Sequence, residues 1–248
     1  MRITKYFGIY LYAIYIPIFI IPKTFAQETI HFSKGTTIIG YIKNDTIWIA
    51  TDSRIKDVVV INGGENYVFT EDYCKIRMGK DFIVTHSGQY SFDTFEVDKT
   101  IMRNIHKFNS KTYVNIVDSV LNDFEKVIRT KYGTMKNTML IQHGIAFLFA
   151  FWNKKPQILV HQCIPQFDAL SNFSFAHTIS TFEDYMCLGK CDCFPASKPE
   201  TSNIKQLLID LIKKQSECSG WEVGGEVDIA IITPNKPPKW IQRKENCK

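Results

Sequence analysis

The stretch that decides the fold is Gly35-Thr36-Thr37-Ile38-Ile39-Gly40-Tyr41-Ile42-Lys43-Asn44-Asp45-Thr46-Ile47-Trp48-Ile49-Ala50-Thr51-Asp52-Ser53-Arg54. Two runs rich in β-branched residues, 36–43 and 46–53, flank Asn44-Asp45. That pattern predicts a hairpin with a two-residue turn. Both runs are apolar on both faces, through Ile38, Ile39 and Ile42 and then Ile47, Trp48 and Ile49. Such strands belong inside a layered structure rather than on one solvated face. With Asn44 and Asp45 in the turn, Lys43 faces Thr46, Thr37 faces Asp52 and Thr36 faces Ser53. A hydroxyl, a carboxylate and the Arg54 guanidinium then converge at one end of a buried sheet. Taken alone, that cluster reads as a surface ion pair.

Outward from the hairpin, residues 58–61 form a short strand ended by Asn62-Gly63-Gly64. Residues 73–78 and 82–85 suggest another hairpin, turning at Gly79-Lys80-Asp81. After Gly88 the period changes. Phe92, Phe95, Ile101, Ile105 and Phe108 keep helical spacing, as do Val114, Val117, Val120, Leu121, Phe124 and Ile128. Two amphipathic helices follow, over 92–108 and 114–128, with Gly133 as a C-cap. Residues 145–152 and 157–163 read as a third hairpin, and 165–184 is ambiguous. A strand over 185–188 ends at Gly189. Ile204, Leu207, Leu208, Leu211 and Ile212 mark a helix capped by Ser202 or Asn203. Strands over 227–233 and 239–242 close the chain. The order of strands, two helices, strands, a helix and strands predicts a segregated α+β domain, with stacked sheets and helices outside.

The chain has 248 residues and a net charge of +5, with 45% hydrophobic and 22% charged residues. This excludes a disordered or fibrous polymer. Residues 1–26 carry Arg2, Lys5 and Lys23 and no acid, so only two of the net charges belong to the rest. No Lys/Arg cluster compensates, and a nucleic-acid partner is not expected. Arg2 and Lys5 precede an apolar run over 6–22, and Thr24-Phe25-Ala26 supplies small residues before a cleavage point. That is the layout of a secretory signal peptide, cleaved or retained as an anchor, and either places the remainder outside the cytoplasm. All seven cysteines follow it: Cys74, Cys163, Cys187, Cys191, Cys193, Cys218 and Cys247. An odd count leaves one unpaired or paired between chains. The C-x3-C-x-C run at Cys187, Cys191 and Cys193 fits no strong zinc pattern and reads as a disulfide or buried thiols. His31, His106, His143, His161 and His177 have no mutual spacing that marks a metal site.

The whole pattern resembles the proteasome β-subunit and bacterial proteasome-like peptidase family of N-terminal nucleophile hydrolases. Gly35-Thr36-Thr37 is similar to the self-cleaved junction that frees a nucleophilic Thr there. Asp52 stands sixteen residues after Thr36, as the family's Asp does after its nucleophile. Lys75-Ile76, Ser87-Gly88 and Gly224-Gly225-Glu226-Val227-Asp228-Ile229 resemble the family's later motifs. The resemblance covers about residues 35–242. It implies a four-layer αββα sandwich of the N-terminal nucleophile hydrolase type and a threonine-type peptidase or other amide hydrolase. A Thr hydroxyl needs a base, and the α-amine of a first residue can serve at neutral pH. Thr36 is thus expected to be nucleophile and base carrier, Lys75 to tune the amine, Asp52 to orient Lys75, and the Gly88 N–H to bind the oxyanion. No metal or organic cofactor is required.

The segment from Arg54 to Lys75 is longer than the family's by about seven residues. The Asp and Ser expected before the late Gly-Gly are replaced by 218–223, where Ser219 and Glu222 stand offset. The implied organisation is a signal over 1–26, a leader over 27–35 removed by autoprocessing, and one domain over 36–248. The implied partners are a peptide or other amide substrate and further copies of the chain, joined through helices 92–108 and 114–128. The alternative is an exported, non-catalytic scaffold or binding subunit that keeps its leader.

Overall fold

Asn44 and Asp45 both adopt left-handed backbone, with φ of 47° and 58°. Two such residues in succession make the type I′ turn whose twist matches paired strands, and Asn and Asp tolerate that region. The expected register follows: Lys43 faces Thr46, Ile42 faces Ile47 and Ile38 faces Thr51. In the computed structural model, residues 30–34, 36–61, 64–92, 94–132, 144–167, 173–245 and 247 are described. The signal over 1–26, residues 27–29 of the leader and Gly35 lie outside these residues.

The strands are β1 (Ile30–Lys34), β2 (Thr37–Lys43), β3 (Thr46–Thr51), β4 (Ile55–Ile61), β5 (Gly64–Thr70), β6 (Arg77–Met78), β7 (Phe82–Phe92), β8 (Phe95–Glu96), β9 (Ile145–Asn153), β10 (Lys155–Phe167), β11 (Phe173–Phe182), β12 (Tyr185–Gly189), β13 (Asp228–Ile232) and β14 (Lys239–Gln242). The helices are α1 (Val97–Asn104), α2 (Val114–Tyr132) and α3 (Ile204–Cys218). One sheet runs β11-β10-β9-β7-β1-β4-β5, with β6 and β8 also on β7. The other runs β12-β2-β3-β13-β14. All pairings are antiparallel.

The expected four-layer αββα sandwich is therefore corrected. The described residues are mostly antiparallel β-sheet with three α-helices, and a single helix, α3, against the five-stranded sheet does not make a layer. Phe92 and Phe95, read as a helical stripe, face each other across a strand turn instead, and α1 begins at Val97. Their spacing is three residues, which is the spacing of a helix face and also of two residues closing a two-residue loop. Residues 30–34, 64–70 and 173–182 form three further strands beyond the expected ones.

Apolar faces meet in three clusters. Ile38, Ile42, Ile47 and Ile49 of β2 and β3 pack against Ile83, Leu148, Ala150 and Ile158 of the larger sheet. Val117, Val120, Phe124 and Ile128 of α2 pack with Phe147, Phe149 and Leu159. Leu208, Leu211 and Ile212 of α3 pack with Ile39, Ala50 and Ile229. Each α3 contact lies on one stripe, as an amphipathic helix requires. The Asn203 side chain accepts a hydrogen bond from the Gln206 N–H at 3.1 Å and caps α3. No helix among the described residues is long and apolar enough to cross a membrane.

There are three disulfides, the long-range Cys74–Cys247 and the more local Cys187–Cys191 and Cys193–Cys218, with Cys163 free and buried. Peptide mapping without reductant is expected to recover these three pairs and one thiol at Cys163. The Cys74–Cys247 link spans 173 residues, and replacing both partners by Ala is expected to cost about 2–5 kcal/mol in urea unfolding.

Candidate active site

The ends of β2 and β3 place Thr36, Thr37 and Asp52 side by side. Asp52 is fully buried and is the hub of the site. Its Oδ1 accepts hydrogen bonds from the Thr36 hydroxyl at 2.8 Å, the Thr37 N–H at 2.8 Å and the Lys75 ammonium at 2.9 Å. Its Oδ2 accepts from the Gly224 and Arg54 N–H groups, each at 3.2 Å. Lys75 is equally buried and also donates to the Arg54 carbonyl at 2.5 Å. Burial pulls the Lys75 ammonium below the usual lysine range, and the Asp52 carboxylate opposes that shift. The pair is thus held by its hydrogen bonds, since taking two charges out of water costs several kcal/mol each.

The walls of the site come from distant parts of the chain. The Lys190 N–H donates to the Thr36 carbonyl at 3.0 Å, and the Thr37 hydroxyl donates to the Lys190 carbonyl at 2.7 Å. Gly189 has φ of 89°, and a Cβ there would stand 2.1 Å from the Thr36 carbonyl oxygen. Glycine is required for that approach. Gly224 lies against the Arg54 guanidinium, which also bonds Val223 and Glu71. Gly88 has φ of 91° on β7, and a Cβ there would meet the Gly144 carbonyl at 2.1 Å. Its neighbour Ser87 is nearly buried, and its side chain lies alongside Gly189.

Of the residues picked from the sequence, Thr36 and Lys75 both bond Asp52, and Gly88 adjoins the same corner through Ser87. Ser219 is not brought into this set. It ends α3, where its hydroxyl accepts from Gln215 and donates to Asp192. Glu222 instead holds the Lys190 side chain at 2.7 Å. Gly189 and Lys190 escaped the sequence reading because they reach Thr36 only through the pairing of β12 with β2. A second buried pair lies nearby: Lys244 contacts Asp228 at 3.2 Å and donates to the Tyr73 carbonyl at 2.6 Å. Burial raises the Asp228 carboxyl, and Lys244 opposes the shift.

Two groups of potential metal ligands occur among the described residues. Cys74, Asp228 and Cys247 are adjacent, but both sulfurs are in one disulfide. His161, Cys163 and His177 are also adjacent, and their thiol is free. The spacing of the histidines along the sequence marks no metal site. Cross-strand pairing of Cys163 with His177 closes that gap.

No family model matches the chain, and no curated protein matches it. Among solved structures, an Anbu Gly-1 mutant from Hyphomicrobium sp. strain MC1 is similar at a TM-score of 0.43 and 14% identity, covering 85% of this chain and 86% of that one. Anbu from the same strain is similar at 0.43 and 12%, covering 83% and 87%. The identification with the proteasome β-subunit and bacterial proteasome-like peptidase family is corrected by these findings. Likeness at this distance places the chain in no family.

Removing the Asp52 charge strands a buried ammonium. Asp52→Asn is expected to lower stability by about 3–5 kcal/mol in urea unfolding. Adding Lys75→Met should recover most of that loss, because no unpaired charge is then buried.

His86, fully buried beside Tyr90 and 3.9 Å from Asp98, is pushed down to about 4 by burial. The unfolded chain takes up this proton near pH 6.5, so its contribution is whole above that value and falls as pH drops toward about 4. His86→Phe is expected to remove about 2–3 kcal/mol of the stability lost between pH 7 and pH 4.5, read from denaturant midpoints at both.

Proposed function

We propose that the chain is a threonine-type amide or peptide hydrolase whose nucleophile is Thr36, freed by cleavage of the Gly35–Thr36 bond. The observation that carries this is the single carboxylate oxygen shared by the Thr36 hydroxyl, the Thr37 N–H and the Lys75 ammonium in a site closed to water. A surface ion pair needs none of that burial.

In the first reaction the Thr36 hydroxyl attacks the Gly35 carbonyl carbon. The Thr36 nitrogen leaves that carbon and takes up the hydroxyl proton, giving an ester on Oγ1. Water then cleaves the ester, which releases the leader's carboxylate and restores the hydroxyl. The new α-amine is the base for later cycles. It removes the Oγ1 proton during attack on a substrate carbonyl and returns it to the leaving amine. Lys75, fixed by Asp52, disfavours a second positive charge and keeps the amine unprotonated. The Gly88 N–H is assigned to the oxyanion. Export by the amino-terminal signal belongs to the same proposal.

A specific observation favours the non-catalytic scaffold as a second reading. Thr36 is only 2% exposed. The residues before it form β1, paired on both sides by β4 and β7. A chain that keeps this arrangement presents no free amine and no open nucleophile.

Intact mass and amino-terminal sequencing decide between them. The hydrolase predicts a chain beginning at Thr36, and a Thr36→Ala variant that stays unprocessed and loses at least roughly 10³-fold in amide turnover. A native chain that begins before Thr36 and remains inert to Thr-directed probes selects the scaffold.

A further inference from the structure

His161, Cys163 and His177 lie far apart in function from anything assigned so far, and they sit together on one face of the β10–β11 pair. His161 and Cys163 are two residues apart on β10 and therefore point to the same side. His177 is the direct cross-strand partner of Cys163. Their side with Leu159 and Cys163 is the one covered by α2. The Nε2 of His161 and the Nδ1 of His177 are 3.0 Å apart, and the Cys163 sulfur is 3.8 Å from that same Nδ1. All three donor atoms fall within 4.8 Å of one another.

Tetrahedral zinc with Zn–N of about 2.0–2.1 Å and Zn–S of about 2.3 Å puts ligand atoms about 3.3 Å (N to N) and about 3.6 Å (N to S) apart. The observed separations bracket those values. A second observation points the same way. The other six cysteines are all in disulfides, while Cys163 is fully buried without a sulfur partner. A chain that oxidises every other thiol has kept this one beside two imidazoles. His177 is exposed, which leaves a path for an ion to enter.

We propose that His161, Cys163 and His177 form a zinc site, completed by water, that pins the edge strand β11 and its partner β10 beneath α2. Thiolate and imidazole together select zinc over calcium or magnesium, which prefer oxygen. On binding, the Cys163 thiol gives up its proton to solvent and no electron is transferred. The site is independent of Thr36 processing.

Cobalt titration of the disulfide-intact, full-length protein is the test. One equivalent of Co²⁺ is expected to produce thiolate-to-cobalt charge-transfer absorption, and one equivalent of Zn²⁺ to abolish it. Cys163→Ser should lack the band. His177→Ala, a change at an exposed position, should weaken binding by at least the roughly 10–100-fold that even an outer-shell loss costs. Zinc should raise the melting temperature of the native protein more than that of His177→Ala. Absence of the thiolate band in the native protein overturns the proposal, as does an undiminished band in Cys163→Ser. The first of these outcomes needs no variant to fold.

Discussion

The Asp52 carboxylate organises the molecule around itself. Five donors converge on its two oxygens, and they come from β2, from the turn after β3, from the segment before β6 and from the approach to β13. Any buried charge must be paired or it shifts the fold out of reach. Here the counter-ion Lys75 is also buried, so each depends on the other and on the backbone groups that complete their hydrogen bonds. The glycines at 189 and 224 follow from this. Chain must pass close to Thr36 and to Arg54, and at both places a Cβ would collide.

The same hub accounts for the tightness of the corner and for its chemical promise. A carboxylate committed to a threonine hydroxyl, an amide and an ammonium is not a free base. Its effect is positional: it fixes Lys75 next to the first residues of β2. The rigidity comes from two sheets whose facing side chains, Ile38, Ile49, Ile83 and Leu148, fill the space between them. Three disulfides then hold parts of the chain near the site, with Cys187–Cys191 bracketing Gly189 and Lys190.

What was legible in the sequence was what local geometry dictates. The two-residue Asn44-Asp45 turn fixes the register by counting, so the meeting of Thr37 with Asp52 could be read without a structure. Lys75 could not be reached that way and came only through likeness of motif. The helix misplaced at Phe92 shows why spacing alone misleads, since residues facing across a short turn are three apart, as on a helix. β1 carries a signal of its own: Ile30-His31-Phe32-Ser33-Lys34 alternates with a period of two. The histidine–cysteine cluster was beyond counting. The segment between Cys163 and His177 offers Pro165, Asp168, Ser171 and Asn172 as turn residues, so no single loop length, and hence no register of β10 with β11, follows from counting.

The position of β1 has a consequence for what a cut at Gly35 would mean. Its backbone is paired to β4 on one side and β7 on the other, so it bridges two parts of the larger sheet. Breaking the covalent link to Thr36 would leave those interstrand bonds intact. The product would be a two-chain protein with the same number of strands, in which a short peptide is a structural subunit. Such a peptide departs only by opening the sheet between β4 and β7, so release of the severed segment becomes a step in its own right, with a rate set by strand pairing rather than by bond chemistry.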